Sequence, residues 1–436
     1  MTLPYQEFSG EALLDQLAPF LSEQDQTRWK ELIQAYPGIV IYPQFESLSR
    51  EELETLISQG KKNDPDFTPI NLLNSYVLDL APGQNPDKLV QELSALDSVA
   101  LAEVTSLPGE PPGVFPANNP LAGAQGYLAA ADVGIDAAAA WNRGSAGEQV
   151  RLIDVEQGWV YVHDDLNLAT TQPLDGLNFR REDHGLAVLG VLNAVDNTLG
   201  IVGVAPQALA IQTVSEWNQR RRLNLAGAIA VAANTLSSGD LLLLESQYTG
   251  PVGRNLPCEL PWVVFAAIRT ATAKGIVVVE AAGNGNRDVD TLPVKLLIGN
   301  RSQTVLMGDG GQRDSLAIFI GAGTSAQPHG RWLSAQGDGS NFGTRVTCYA
   351  WGENVTTLAP ANSYRSDFDG TSSAAAIIAG AAMLVQRVAK QKLGRPLSPG
   401  EMRAILSASY NTPSANSTDL IGVMPNLNAI FVNNSL

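Results

Sequence analysis

Cysteine is nearly absent: Cys258 and Cys348 are the only two in 436 residues. Two cysteines cannot build a disulfide framework, and this pair lacks the close spacing of metal ligands. Both are expected to be free and reduced. Cys348 follows Val346-Thr347 in a strand-like run and should be buried, whereas Cys258, in a loop between Pro257 and Pro261, is expected to be exposed. Cations are also scarce, with 28 Lys and Arg against 44 Asp and Glu, a formal net charge of −16. That balance argues against nucleic acid and against an anionic membrane face as partners, and solubility explains it. No apolar run reaches the length of a membrane span; Leu260 to Ile268 is among the longest and carries Pro261. The N-terminus lacks a basic stretch followed by an apolar one, so no secretory signal is visible. The expected location is the cytoplasm, or outside the cell if a signal has been trimmed. Histidine is limited to His163, His184 and His329, so any histidine-based catalysis must use one of these three.

What is present is chemically pointed. Asp369-Gly370-Thr371-Ser372-Ser373-Ala374-Ala375-Ala376 opens a helix of small apolar residues that can pack closely against its neighbours. A serine hydroxyl at such an N-terminus lies near unpaired backbone N–H groups and the positive end of the helix dipole. Simple capping is the plain alternative. A nucleophilic serine needs a base, and His184 lies where a polar turn enters an apolar helix, Asp183-His184-Gly185-Leu186. His163 and His329 both lie in turns. An acid must orient the base. Asp154 stands at the end of the apolar strand Val150-Arg151-Leu152-Ile153, a poor place for a carboxylate without a purpose, although a turn cap would also account for it. Finally, Ile276-Val277-Val278-Val279 runs into Glu280-Ala281-Ala282-Gly283-Asn284, and an amide held at a strand end can donate to an oxyanion. By itself Gly-Asn-Gly is an ordinary turn.

Together these segments resemble the subtilisin-type serine peptidases, with triad order Asp, His, Ser. The resemblance covers residues 126 to 433. It rests on Asp154, His163-x-Asp165-Leu166, His184-Gly185, Gly203-Val204-Ala205-Pro206, Ala281-Ala282-Gly283-Asn284 and Gly370-Thr371-Ser372-x-Ala374. The last motif sets the nucleophile on Ser372 rather than Ser373. The resemblance implies Asp154, His184 and Ser372 as the catalytic triad and Asn284 as the oxyanion donor. Departures include Ala376 for a usual Pro, Leu186 for a usual Thr, and a glycine that arrives late after the acid, in Val155-Glu156-Gln157-Gly158. The family's substrate-pairing segment is replaced by Glu245-Ser246-Gln247, which with Ala281, Ala282 and Gly283 are the candidate substrate contacts. The chemistry so implied needs no cofactor or metal. Structural calcium is frequent in the family, but no aspartate-rich loop supports it in this chain.

Three segments are expected. Residues 1–105 read as a small α/β unit. Its helices are expected over Glu11 to Tyr36, from Ser49 to about Gln59, and from Asn85-Pro86 to about Leu96. Its strands are expected at Gly38 to Tyr42, Tyr76 to Leu78 and Val99 to Val104. The order resembles the inhibitory propeptides that precede subtilisin catalytic domains, so the chain's own N-terminal domain is a candidate partner. Residues 106–125, with five prolines, read as an extended linker. Residues 126–436 alternate strands and helices, which implies an α/β fold: a doubly wound, mostly parallel sheet with functional groups at strand C-terminal ends. The function expected is a serine endopeptidase acting on peptides or proteins. The alternatives are a catalytically silent binding protein of the same fold and a peptide acyl transferase or macrocyclase.

Overall fold

The computed structural model describes residues 21–43, 76–81, 83–102 and 118–436, without 169–170, 299–300 and 309–312, together with a few positions before residue 118. The chain divides into two compact units, Met1–Gly109 and Glu110–Leu436.

In the first unit, short strands β1 (Phe8–Ser9), β2 (Val40–Pro43) and β3 (Tyr76–Asp79) form an antiparallel sheet in that order. Helix α1 (Glu23–Ala35) starts at Ser22, whose hydroxyl accepts the Asp25 N–H at 3.1 Å. Helix α2 (Pro86–Ser94) starts at Asn85 with proline in its first turn, as expected from the sequence. Each cap contributes about 1 kcal/mol. Trp29, Leu32, Ile41, Leu89 and Leu93 form the core. The expected strand at Val99 to Val104 is not formed at its described positions, which are irregular. The start of the first expected helix, and most of the one expected from Ser49, lie outside the described residues.

The second unit is built on an eight-stranded sheet. Its strands are β4 (Arg151–Glu156), β5 (Ala210–Ser215), β6 (Leu241–Leu244), β9 (Val277–Ala281), β12 (Ile318–Gly323), β13 (Val346–Trp351), β16 (Thr412–Pro413) and β17 (Val423–Met424). They lie in the order β16-β17-β13-β12-β9-β6-β4-β5, and all neighbours are parallel except β16–β17. Three antiparallel pairs stand apart: β7 (Gln247–Gly250) with β8 (Gly253–Pro257), β10 (Pro293–Ile298) with β11 (Arg301–Leu306), and β14 (Val355–Ala359) with β15 (Ser363–Phe368). Val355–Ala359 therefore lies outside the parallel sheet.

Nine helices are described in all. Those after α2 are α3 (Ala137–Trp141), α4 (Glu182–Asn193), α5 (Leu225–Thr235), α6 (Trp262–Ala273), α7 (Gly370–Leu393), α8 (Pro399–Leu406) and α9 (Leu427–Asn433). Helix α7 packs on β9, β12, β13 and α4; α5 and α6 pack on each other, with α5 on β4 and β5 and α6 on β9. The central strands are apolar throughout: Leu241 to Leu244 and Val277 to Val279 are fully buried. Each such side chain contributes about 1.5–3 kcal/mol. Among the described residues only α7 is long and apolar enough to cross a membrane, and it is a buried core helix.

Two expectations are corrected. Residues 118–125 are part of this unit rather than linker: Leu121 donates to the Gly200 carbonyl, and the Gln125 amide bonds both the N–H and the carbonyl of Val202. Cys258 is buried, not exposed, and burial with the nearby Glu280 carboxylate pushes its thiol up.

Candidate active site

Four strand ends converge on the N-terminus of α7. Backbone bonds lock three of them together: the Glu216 N–H donates to the Glu156 carbonyl at 2.9 Å, and the Glu245 N–H to the Val155 carbonyl at 3.1 Å. Glu156 is the last residue of β4, Glu216 follows β5 and Glu245 follows β6. Asn284 comes three residues beyond β9.

His184 is the third residue of α4, and the turn after β4 is tied to that helix by Val160 N–H donating to Glu182 O at 3.1 Å. Gly185 makes the approach feasible, since a Cβ there would lie 2.2 Å from the Gly158 carbonyl oxygen. The result differs from the sequence expectation. His184 Nδ1 hydrogen-bonds Glu156 Oε1, not Asp154. Asp154 is turned to the indole of Trp159, whose Nε1–H donates to Asp154 Oδ2 at 2.7 Å. The two acids share one face of β4 because strand side chains repeat every second residue. Asp154, the deeper, is completely buried, and only Glu156 reaches the imidazole. The glycine spacing carried this signal: counted from Glu156, Gln157-Gly158 follows without delay.

The other two histidines have structural partners. His163 Nδ1 accepts the Asp165 N–H at 3.1 Å, and its Nε2 lies 3.0 Å from the Ser363 carbonyl. His329 places its ring nitrogens 2.7 and 2.8 Å from the carbonyls of Thr324 and Asp132. The ring of His184 rests edge-on against Phe368, which the sequence did not suggest.

Ser372 is the third residue of α7, while Gly370 turns the chain into the helix at φ 82°. That left-handed value favours glycine. Ser373 is fully buried, and its hydroxyl donates to the carbonyls of Trp351 and Gly370 at 3.1 and 3.0 Å. Ser372 has no such engagement; its polar neighbour is the Glu245 carboxyl. Asn284 is held from two sides. Its Oδ1 accepts both the N–H and the hydroxyl of Thr371 at 2.8 Å, and its backbone N–H donates to Gln247 Oε1 at 2.8 Å. The amide Nδ2 makes no hydrogen bond among the described residues and lies beside Gly370.

The remaining candidate contacts are placed as follows. The Ser246 hydroxyl donates to Glu216 and is buried. Gln247 is exposed on β7. Ala281 ends β9, and the Ala282 N–H donates to the Ile320 carbonyl at 2.9 Å. The Gly283 N–H donates to Thr371 Oγ1 at 3.1 Å, and its carbonyl accepts the Asn341 N–H at 2.9 Å. The backbone groups of Ala282 and Gly283 are thus engaged within the protein.

The site is strongly acidic. Burial is the main force pushing Asp154, Glu156, Glu216 and Glu245 above the ordinary carboxylate range. Mutual repulsion adds to it, from Glu216 on Glu156 and from Glu156 on Glu245. Burial, then the Arg181 charge, lowers the His184 imidazole to about 4. Among the described residues no cluster of three or more His, Cys, Asp or Glu is arranged to hold a metal ion.

A parallel α/β sheet that gathers a histidine–carboxylate pair, a serine at a helix N-terminus and an anchored amide defines a hydrolase site of serine type. Residues 129–423 match the sequence profile of the subtilase family. Subtilisin BL of Lederbergia lenta is 26% identical over 258 residues, spanning 58% of this chain and 82% of that protein. Subtilisin E of Bacillus subtilis (strain 168) is 25% identical over 348 residues, spanning 77% of this chain and 76% of its own. A solved structure of a protease from Pseudoalteromonas arctica PAMC 21717 shares the fold, with a TM-score of 0.53, 21% identity and coverage of 73% of this chain and 99% of that one. The chain belongs to the subtilase family. It is a serine-type endopeptidase, a hydrolase whose substrates are peptides or proteins.

Proposed function

We propose that peptide bonds are hydrolysed through Ser372, His184 and Glu156, with Asn284 as oxyanion donor. The observation that carries this reading is the Glu156–His184 Nδ1 hydrogen bond. A carboxylate on Nδ1 fixes the tautomer that leaves Nε2 free to take a proton. Ser372 Oγ attacks the scissile carbonyl, and His184 accepts its proton and passes it to the leaving amine. Glu156 stabilises the imidazolium formed in between. The carbonyl oxygen, now an anion, is held by Asn284 Nδ2 and the Ser372 backbone N–H. Water then repeats the sequence on the acyl-enzyme. Side chains and backbone supply every group, so we propose that the chemistry requires no cofactor. Asp154 serves the turn after β4 through Trp159. A fluorophosphonate should label Ser372, and each cleavage should add the mass of one water to the products. An unlabelled protein would indicate a silent binding fold, and products without added water would indicate acyl transfer.

The pH response follows from the Glu156–His184 pair, which titrates as a unit. Only the form with Glu156 ionised and His184 neutral, its one proton held on Nδ1, offers a free Nε2, so activity is present at higher pH and lost as pH falls. Burial and the Glu216 charge raise Glu156, which sets the limb above the value of about 4 that burial gives His184. The kcat/KM profile should keep this acid limb in His163→Gln and His329→Gln. Its disappearance in either variant would reassign the base.

We propose that the first unit acts as an intramolecular inhibitor and folding aid for the second. Long-range parallel pairing folds slowly and leaves edges open meanwhile. A small domain that binds the nascent sheet stabilises it by mass action, and covalent linkage raises its effective concentration. Fragment 110–436 alone should refold poorly, and fragment 1–109 added in trans should rescue folding and then inhibit turnover. Ready refolding with no response to the fragment would leave the first unit as an unrelated adaptor. On location, the matched bacterial subtilisins favour the secreted alternative over the cytoplasmic one; fractionation of cells and medium checks this.

A further inference from the structure

Five arginines crowd two loops beside the catalytic histidine. Arg180 and Arg181 lead into α4, and Arg220, Arg221 and Arg222 lie in the turn after β5. All five are exposed. In a chain of formal net charge −16, such a concentration of one sign runs against the composition. The two loops are bound together. Leu177 N–H donates to the Trp217 carbonyl at 2.7 Å, and Gln219 Nε2 donates to the Gly176 carbonyl at 3.1 Å. The Asn218 side-chain oxygen accepts the N–H groups of Arg220 and Arg222 at 3.0 and 3.1 Å, which holds the turn. Phe179 meets Trp217 edge-on, with ring centroids 5.7 Å apart. The Arg180 guanidinium lies 5.0 Å from the Trp217 ring, and that of Arg221 lies 5.1 Å from the Phe179 ring. Stacking of this kind orders a long side chain without neutralising it. Among the described residues, none of the five guanidinium groups closes an ion pair or a hydrogen bond. The acids of these loops are Asp175, Glu182 and Asp183, of which the last two occupy the first turn of α4 and complement its dipole. The patch begins within one helical turn of the base: the Arg181 carbonyl accepts the His184 N–H at 2.9 Å, and the Arg181 charge is felt by both His184 and Glu156.

We propose that this arginine platform is a specificity site that takes Asp or Glu side chains of the peptide substrate, a few residues from the scissile bond. This rests on the peptidase reading above. A substrate whose carbonyl meets Ser372 and whose leaving amine meets His184 must run past the start of α4, and so past Arg180 and Arg181. The planar guanidinium fork matches a carboxylate with two parallel hydrogen bonds, which a neutral amide of the same shape cannot reproduce. No internal ion pair has to be broken first. The surrounding negative charge of the protein repels acidic peptides elsewhere, so the platform also fixes where such a peptide lands.

The test uses the full chain in two backgrounds. In the Ser372→Ala protein, calorimetry compares peptides carrying Asp or Glu at successive positions around the scissile bond with their Asn or Gln counterparts. In the active protein, kcat/KM is compared for the same pairs. At the best position the acidic peptide should be favoured by about 10-fold in both measurements, the range of one or two exposed but well-shaped ion pairs. The preference should shrink as salt is raised, because exposed charges are screened. The combined Arg220→Gln, Arg221→Gln and Arg222→Gln protein should bring both ratios close to one while turning over the neutral peptides as before, and Arg180→Gln should reduce them in part. No acidic preference at any position, or one that survives the combined substitution, would overturn the assignment. So would tighter binding of a single-stranded oligonucleotide than of the best acidic peptide, since the platform would then serve nucleic acid. Acidic preference in binding with no turnover of any peptide would leave the platform its role and remove the peptidase reading instead.

Discussion

Ser372→Ala is expected to abolish turnover while leaving the fold intact. In subtilisin the loss of the nucleophile costs about 10⁶ in kcat, and a loss of that order is expected here. The neighbouring serine provides the control. Ser373 spends its hydroxyl on two buried carbonyls, so Ser373→Ala should lower stability by about 1 kcal/mol and retain substantial activity. The reverse pattern would move the nucleophile by one residue. Asn284→Ala should fall between the two, with kcat lowered about 10²- to 10³-fold and KM little changed, as for the equivalent donor in subtilisin. The checks are steady-state kinetics together with thermal unfolding of each variant.

The second large effect separates the two acids of β4. Glu156→Gln should lower kcat by about 10⁴, in the range seen when subtilisin loses its triad carboxylate. The substituted amide can present its NH₂ to Nδ1, which favours the wrong imidazole tautomer. Asp154→Asn should cost far less activity, because the amide oxygen can still accept the Trp159 N–H that now binds Oδ2. Its main signature should be in stability. Kinetics of both variants on one peptide settle the matter. A severe loss in Asp154→Asn with near-normal Glu156→Gln would return the acid to Asp154.

That correction shows what the sequence could and could not reveal. Asp154 and Glu156 both satisfy the pattern of a carboxylate ending an apolar strand, and a period of two puts them on one face. Which one meets the base depends on where the strand stops and how closely α4 approaches, and that approach relies on the missing side chain of Gly185. The sequence pattern therefore located the strand end, and tertiary packing chose the residue. Ser372 and Asn284 were legible because each belongs to a local segment, a helix start or a strand exit, whose geometry the neighbouring residues set. The partners of Asn284 were not legible: Thr371 and Gln247 reach it from segments far along the chain. Composition misled at two other places. The proline-rich stretch 106–125 looks like a linker, but the Gln125 amide fastens its last residues to the catalytic unit. Val99 to Val104 looks like a strand, yet its described positions are irregular.

The double hold of Thr371 on Asn284 Oδ1 has a consequence for polarity. A side-chain amide is nearly symmetric in shape, and rotated by half a turn it would present an acceptor to the cleft. Thr371 forbids that rotation, because its backbone N–H would then point at an NH₂ group. The amide is thereby a one-way group, open only to electron-rich atoms. Boronates and aldehydes, which become anionic tetrahedral adducts on serine, match that sign, whereas a group that brings its own N–H to the same spot meets donor against donor.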